Sequence, residues 1–303
     1  DWLASSCQHF PYREAKLSIE EYWSYARERA DDVLEATGLA RVASSELRSP
    51  AELFAFLDPP SPLQAQLWSM PLPDGPMLTI VEDVTGSGKT EAALLLASRL
   101  MQAGRASGVF LGMPTMATAN AMYARLAECH ERMFEAGASP SLVLAHGRRD
   151  LNPKFLASIG ERDAAARRAA SEDTGDEASA ACAAWIADDR RKAFLADVGV
   201  GTIDQAFLGV LPSRHQALRL WGLADRVLIV DEAHAYDAYM GRELERLLEF
   251  HAALGGSAIV LSATLPDAQR RQLAAAFQAG LGTPVGISST ALDYPLVTTV
   301  SRE

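Results

Sequence analysis

Positive charge is what this sequence has least to spare. Its 303 residues carry 28 Lys and Arg against 39 Asp and Glu, a formal net charge of −11. That excludes the broad basic surface by which many proteins grip a nucleic-acid backbone. Any such contact has to be local, through loops, backbone amides and a few arginines. Cysteine is scarce as well. Cys7, Cys129 and Cys182 are far apart and none belongs to a C-x-x-C pair. This excludes a disulfide framework and a cysteine zinc site, and it fits a reducing cytoplasm. Apolar runs such as "VLIV" and "AALLLA" are far short of a membrane span, so no membrane partner is expected, and no signal-peptide pattern is present. The chain opens on Asp1 rather than Met, which gives the expectation of a piece of something longer. Apolar residues are plentiful at 49%, enough to fill the core of one large domain or two modest ones.

Residues 1 to about 48 read as helices. In "SIEEYWSYARERADDVLEATGL", Ile19, Tyr22, Trp23, Ala26, Ala30, Val33 and Leu34 recur near helical spacing, with Gly38 as a stop. The proline-rich "LDPPSPLQ" marks a boundary and a loop. From Met77 onward short apolar runs alternate with helical segments. "MLTIVE", "GVFLGM", "SLVLAHG", "DVGVGTID", "RVLIVDEAH" and "SAIVLSAT" read as strands. "EAALLLASRLMQAG", "ATANAMYARLAECHERMFEAG" and "DAQRRQLAAAFQAG" read as helices, the last stopped by its glycine, Gly280. The alternation predicts an α/β fold: a mostly parallel sheet with helices on both faces, its ligand at the carboxyl ends of the strands. Residues 152–182, Ala-rich, charged and short of large apolar side chains, read as an exposed insertion. Trp23, Trp185 and Trp221 are expected to be packing residues. His130, His215 and His251 fall in helical or polar contexts and read as structural.

"TGSGKT" follows a strand and opens a helix, the context a phosphate loop requires. Thr85, Gly86, Ser87 and Gly88 form the loop, whose glycines let backbone N–H groups face one concavity. The helix start adds partial positive charge. Lys89 can reach the β- and γ-phosphates of ATP, and the Thr90 hydroxyl can ligate Mg²⁺. The eight-residue form of the motif wants glycine at its first position, where this chain has Asp83. "RVLIVDEAH" then brings Asp231 and Glu232 to the tip of a strand. Asp231 can hold Mg²⁺, directly or through water. Glu232 can orient and deprotonate the attacking water.

With "TGSGKT", "DEAH" and "LSAT" in one chain, the sequence resembles the first RecA-like motor lobe of superfamily 2 helicases. The stretches "MPTMATANAMYARL", "VGVGTIDQAFLGVLPSRHQALRLWGLADRVLIVDEAHAYDAYM" and "AAWIADDRRKAFLADV" narrow it further. They resemble the type I CRISPR helicase–nuclease, across most of residues 60 to 300. The opening "DWLASS...FPY" is similar to the tail of that family's HD nuclease domain. The resemblance implies a boundary scheme: residues 1–48 as HD tail and linker, 49–283 as the RecA-like lobe, 284–303 as a linker towards a second lobe. It makes Gln64 a reader of the adenine edge. It puts Pro114, Thr115, Thr118, Thr202 and Gln205 on loops that touch nucleic acid, although Thr115 and Thr202 also stand where helix caps belong. It makes His234 a link between nucleotide and nucleic-acid sites, and Ser262 and Thr264 the element coupling hydrolysis to strand movement. Asp1 stands where the HD site has a metal ligand, a vestigial one here. His146, Arg148 and Arg149 end the third predicted strand, where the arginines face either phosphate or solvent.

The implied partners are single-stranded DNA, the type I CRISPR surveillance complex, and the second RecA-like lobe and HD nuclease domain of a parent protein. In such motors the second lobe supplies the arginine that stabilises the transferring phosphoryl group. The chain is therefore expected to bind Mg·ATP but to hydrolyse it poorly alone. Two other readings stay open: a DEAH-type RNA helicase lobe, and a non-catalytic split or truncated subunit that docks on a partner lobe or surveillance complex.

Overall fold

The computed structural model describes residues 17–36, 40–145, 193–213, 216–283 and 294–302. The features assigned to Asp1, Cys7, His146, Arg148, Arg149, the 152–182 insertion, Cys182, Trp185, His215 and residues 284–293 lie outside these segments.

Seven strands among the described residues make one sheet: β1 (Leu78–Glu82), β2 (Gly108–Met113), β3 (Leu142–Ala145), β4 (Val198–Thr202), β5 (Arg226–Val230), β6 (Ala258–Ser262) and β7 (Leu296–Val300). Their order is β3-β4-β2-β5-β6-β1-β7. The first six are mutually parallel, and β7 runs antiparallel along β1. Every residue of β1 to β6 is buried, which is why they read as continuous apolar runs rather than as alternating ones. The α-helices among the described residues are α1 (Ile19–Ala36), α2 (Pro50–Leu53), α3 (Pro62–Ser69), α4 (Lys89–Gln102), α5 (Met116–Leu126), α6 (Ile203–Phe207), α7 (Gln216–Ala224), α8 (Ala238–Ala253) and α9 (Asp267–Leu281). Side chains alternate between two cores across the sheet. Val81, Leu111, Ile229 and Leu261 pack with Leu63 of α3, Leu95 of α4 and Met122 of α5. Ile80, Phe110, Leu228 and Val260 pack with Leu244 and Leu248 of α8 and Phe277 of α9. Each fully buried leucine of this kind contributes roughly 1.5–3 kcal/mol. This is the mostly parallel, doubly covered sheet that the alternation predicts.

Several boundaries differ from expectation. Within the 284–303 stretch expected as an exit linker, Leu296–Val300 is β7, an edge strand with Leu296, Thr298 and Val300 buried and Thr299 exposed. The "LDPPSPLQ" loop ends early. Ser61 caps α3 through a reciprocal box with Gln64, and Pro62 opens the helix, a position that needs no N–H. The long helix expected after β2 stops at Leu126 and resumes as a short 3₁₀ turn, His130–Met133. His130 Nδ1 donates to the Leu126 carbonyl at 3.1 Å, satisfying a helix-end acceptor that has no partner within the helix. Trp23 and Trp221, expected to pack, are 64% and 70% exposed. Of the apolar positions on α1, Val33 is buried while Ile19, Tyr22 and Leu34 are exposed. His251 is structural as read: it is 1% exposed, its Nε2 donates to Ser257 O at 3.0 Å, and burial lowers its pKa to about 4, so the ring is neutral.

Gly280 is not the helix stop. The left-handed cap is Gly282 at φ 67°, while Gly280 lies inside α9 where that helix crosses α8. A Cβ at Gly280 would press into the Glu249 carbonyl and the Ala252 methyl. Alanine at this position gains about 1 kcal/mol of helix propensity. Overpacking a rigid backbone contact costs about 1–3 kcal/mol, and overpacking wins. Gly280→Ala is expected to lower stability in urea denaturation by about 1–3 kcal/mol, whereas a helix-interior glycine with open space around it would give a gain of up to about 1 kcal/mol.

Candidate nucleotide-binding site

Parallel strands deliver their following loops to one edge. β1 is followed by the phosphate loop, β5 by Asp231-Glu232, and β6 by Ala263-Thr264, with Ser262 the last residue of β6 itself. In the sheet β6 lies between β1 and β5, so these three segments are neighbours. The ends of β2 and β4, carrying Pro114-Thr115 and Thr202, lie further along the same edge.

The phosphate loop takes its shape from two glycines. Gly86 and Gly88 have φ of 83° and 86°, a left-handed conformation that other residues adopt at a cost. Gly88 is also constrained by space, since a Cβ there would overlap the Gln64 amide. Asp83 has no positive φ; among the described non-glycine residues only Glu232 does. Asp83 therefore stands at the first motif position without strain, and its Oδ1 accepts the Val84 N–H at 2.8 Å. Lys89, 6% exposed, donates to Asp83 O at 2.6 Å and Val84 O at 2.8 Å. Two of its three donors thus hold the loop, and one remains. The Ser87 hydroxyl is buried with no hydrogen-bond partner. Thr90 is half-buried in the first turn of α4. An orphaned hydroxyl, an ammonium and a helix start around a left-handed loop make a cradle that fits phosphate oxygens.

Gln64, expected in a loop, sits in the first turn of α3 and is 5% exposed. Its Oε1 accepts Ser61 N–H at 2.8 Å, and its Nε2 donates to Gly88 O at 3.4 Å. The amide thus touches the phosphate loop and retains one donor and one lone pair.

Asp231 follows β5, its N–H on Gly112 O at 2.9 Å and its Oδ1 accepting the Glu232 N–H at 2.9 Å. Burial, and then the neighbouring Glu232 charge, push the Asp231 carboxyl above the ordinary range, with Lys89 pulling the other way. Glu232 is held at φ 52°, a conformation costing about 1–3 kcal/mol. Its Oε2 is 3.2 Å from His234 Nδ1. Yet that nitrogen already accepts the Ala263 N–H at 3.3 Å, which puts the ring proton on Nε2 and turns a lone pair towards the carboxylate. The two distances therefore do not describe an ion pair, and Oε2 is a buried oxygen without a donor. Ser262 Oγ lies 3.3 Å from the same Nδ1 and donates to Thr264 O at 3.1 Å. His234, Ser262 and Thr264, predicted from separate motifs, are thus brought together.

The residues expected on nucleic acid are less clearly a set. Thr115 and Thr118 form a reciprocal capping box on α5, their hydroxyls 3.0 Å apart, and both are exposed. Pro114 and Gln205 are half-buried. Thr202 occupies the cap position of α6, is 7% exposed, and makes no side-chain cap bond. Five residues, Tyr236, Arg125, Glu91, Glu82 and Arg270, escaped the sequence reading. Tyr236 donates its hydroxyl to Asp231 O at 3.1 Å and stands edge-on to Phe207, ring centres 6.4 Å apart. Arg125 of α5 pairs with Glu91 of α4. Glu82, a carboxylate ending a strand that is apolar except at Thr79, pairs with Arg270. The one local signal for any of these was that charge in "LTIVE". Among the described residues no cluster of three or more His, Cys, Asp and Glu could hold a metal ion, and no helix is long and apolar enough to cross a membrane.

Residues 61–273 match the DEAD/DEAH box helicase family, and the chain belongs to it, a family of ATP-dependent helicases. Within that family it corresponds to the first motor lobe of the type I CRISPR helicases. It is 42% identical, over 90% of its length, to the CRISPR-associated endonuclease/helicase Cas3 of Thermus thermophilus. The crystal structure of T. fusca Cas3 with ADP matches 99% of the chain at 34% identity and a TM-score of 0.78. A chain in a CRISPR RNA-guided surveillance complex, pre-nicking, matches 98% of it at 28% identity and a TM-score of 0.55. The chain spans about a third of the length of these proteins: 29% of the first, 33% of the second and 30% of the third.

The loop geometry separates the two motif positions. Asp83→Gly is expected to keep affinity for a Mg²⁺-bound, non-hydrolysable ATP analogue within about threefold, as for a substitution that touches no strained or buried feature. Gly88→Ala must enter a left-handed conformation and displace the Gln64 amide, and should weaken binding about tenfold or more. Isothermal titration of both variants checks this; equal losses would contradict the assignment of backbone demand to Gly88 rather than to position 83.

Proposed function

We propose that this chain is the ATP-binding first lobe of a motor that translocates on single-stranded DNA and serves degradation of invader DNA in CRISPR interference. The observation that carries the catalytic part is Glu232. A buried carboxylate oxygen with no donor, beside Asp231 and across from the phosphate loop, is suited to accept a proton from water. The partners follow from the relatives: a CRISPR-associated endonuclease/helicase and a chain within a surveillance complex. The HD nuclease domain and a second RecA-like lobe belong to the same proposal.

Each residue has a part in this reading. Gly86 and Gly88 offer backbone N–H groups to phosphate, and Ser87 offers its unpartnered hydroxyl. Lys89 exchanges loop carbonyls for phosphate oxygens. Gln64, already packed on Gly88, has a donor and an acceptor left for an adenine edge. Thr90 and Asp231 are the oxygen ligands offered to Mg²⁺, which keeps several waters and takes one or two protein oxygens. Bound there, the ion supplies charge neutralisation at the phosphates. Asp231 holds its carboxylate with the help of the Glu232 amide. Glu232 orients a water and accepts its proton. His234 joins Glu232 to the Ser262-Ala263-Thr264 turn. Pro114, Thr115, Thr118, Thr202 and Gln205 lie towards the far end of the strand edge, where hydroxyls and helix starts can hold a nucleic-acid backbone without net positive charge.

A single lobe offers half of a cleft. An arginine from a second lobe is worth about 10³ to 10⁵ in rate in related systems. The chain alone is therefore expected to bind Mg·ATP and turn it over slowly. Steady-state turnover without nucleic acid, with single-stranded DNA and with single-stranded RNA, blanked by Lys89→Ala, tests the reading. Silence in all three, with Lys89-dependent nucleotide binding, fits a half-site. DNA-stimulated turnover by the chain alone removes the need for a second lobe. Stimulation by RNA and not DNA favours an RNA helicase lobe. Absence of nucleotide binding favours a non-catalytic subunit.

A further inference from the structure

Glu82 ends β1 with its side chain 0% exposed. A carboxylate so placed is costly unless paired and hydrogen-bonded, and both of its oxygens are held. Oε1 accepts the Leu265 N–H at 2.9 Å, and Oε2 accepts Arg270 Nη1 at 2.7 Å. Arg270, its side chain 7% exposed, gives its other terminal nitrogen to Asp267 Oδ1 at 2.8 Å. That bond to Asp267, and then the one to Glu82, raise the guanidinium above its ordinary pKa against the effect of burial. The pair is thus a charged bolt anchored in the first turn of α9.

What the bolt joins gives it meaning. One residue after Glu82 the phosphate loop begins: the Asp83 N–H donates to Ser262 O at 3.2 Å, and the Asp83 carbonyl takes Lys89 Nζ. One residue before Leu265 is Thr264, whose carbonyl takes the Ser262 hydroxyl. The Ser262–Leu265 turn is therefore fixed at its start to the root of the phosphate loop and at its end to Glu82. Its middle, Ala263, donates to His234, which stands against Glu232. A shift of the loop at Lys89 reaches this turn from both ends through rigid, fully satisfied bonds.

We infer that Glu82, clamped by Arg270, is a positioning residue that transmits the state of the phosphate loop to the Ser262–Leu265 turn. The inference rests on the nucleotide-site reading above and adds a residue to it. It is distinct from a stabilising role, because a purely structural ion pair would alter melting without altering what the turn does when nucleotide binds.

The test is amide hydrogen exchange of residues 262–265 in the 303-residue chain, with and without Mg²⁺ and a non-hydrolysable ATP analogue, with binding titrated separately. Three variants are compared. Glu82→Gln keeps the shape and an acceptor for Leu265 but drops the charge. Glu82→Gln with Arg270→Met removes both charges and leaves none buried alone, so it carries the test if the single variant does not fold. Arg270→Lys keeps a charge on the clamp. In the unaltered chain, nucleotide is expected to change exchange at 262–265 about fivefold or more, the lower end of ordinary site-to-site coupling. In the two Glu82 variants binding should stay within about threefold while the change at the turn falls below about twofold, and Arg270→Lys should recover part of it. A full response at the turn in folded, nucleotide-binding Glu82 variants overturns the inference alone. So does a turn that never responds in the unaltered chain. Failure of the unaltered chain to bind nucleotide overturns the nucleotide reading and this inference with it.

Discussion

Pairing of β1 with β6 from Leu78↔Ala258 to Glu82↔Ser262 aligns the ends of these two strands, and pairing of β6 with β5 through Val230↔Val260 ends β5 two residues before them, so that Asp231 and Glu232 follow on beside Leu261 and Ser262. The parallel ladder does this without any contact between the loops themselves. Because these strands are buried on both faces, a register slip would drive their side chains into the wrong core, so the alignment is strongly fixed. Short bonds then join these segments: Asp83 N–H to Ser262 O, and Ala263 N–H to His234 Nδ1. The chemistry is local, but its placement is a property of the whole sheet.

Charge at the site is arranged against the sign of the molecule. In a chain of net charge −11, the phosphate cradle draws on backbone N–H groups, the start of α4 and one buried lysine. The cost falls on the acidic side of the site. Asp231 is pushed towards its neutral form by burial and by Glu232, while Glu232 is strained and has an unpartnered oxygen. Strain of about 1–3 kcal/mol and an orphaned carboxylate oxygen are features that folding alone would remove. Their persistence side by side at the end of β5 is the physical reason for reading this as a working site rather than a solvated acidic turn.

The sheet, its parallel sense and the phosphate loop were legible because each has a short-range signature: buried apolar runs, glycines before a lysine, acidic residues at a strand tip. Boundaries that depend on long-range contact were not. Gly280 looks like a stop because glycine is poor in helices; it lies inside α9 because α8 comes too close for a methyl group. "LVTTV" looks like a linker because five residues cannot announce that they will pair with β1. Trp23 and Trp221 look like core because large apolar residues commonly are, and both are exposed. Gln64 was legible as a ligand reader through resemblance, whereas its place against Gly88 came only with the fold. Tyr236 and Arg270 carried no local sign, since only the fold brings Tyr236 against Phe207 and Arg270 against Glu82.

The residues assigned to nucleotide and those assigned to nucleic acid share one strand edge but not one cluster. β5 and β6 lie between the phosphate loop on β1 and the loops after β2 and β4. Communication across that distance requires elements whose position both ends can bias. Two buried contacts meet the description from opposite sides. Glu82 and Arg270 tie the phosphate loop to the turn after β6. Tyr236 ties the Asp231 carbonyl to Phe207, the last residue of the helix that starts after Thr202. Both act on backbone rather than on ligand: Glu82 accepts the Leu265 N–H, and Tyr236 donates to the Asp231 carbonyl. Asp231 and His234 sit between the two, next to the strained Glu232. In the coupling we propose, these ties converge on one conformationally unfavourable residue, Glu232, whose carboxylate is the group placed to act on water.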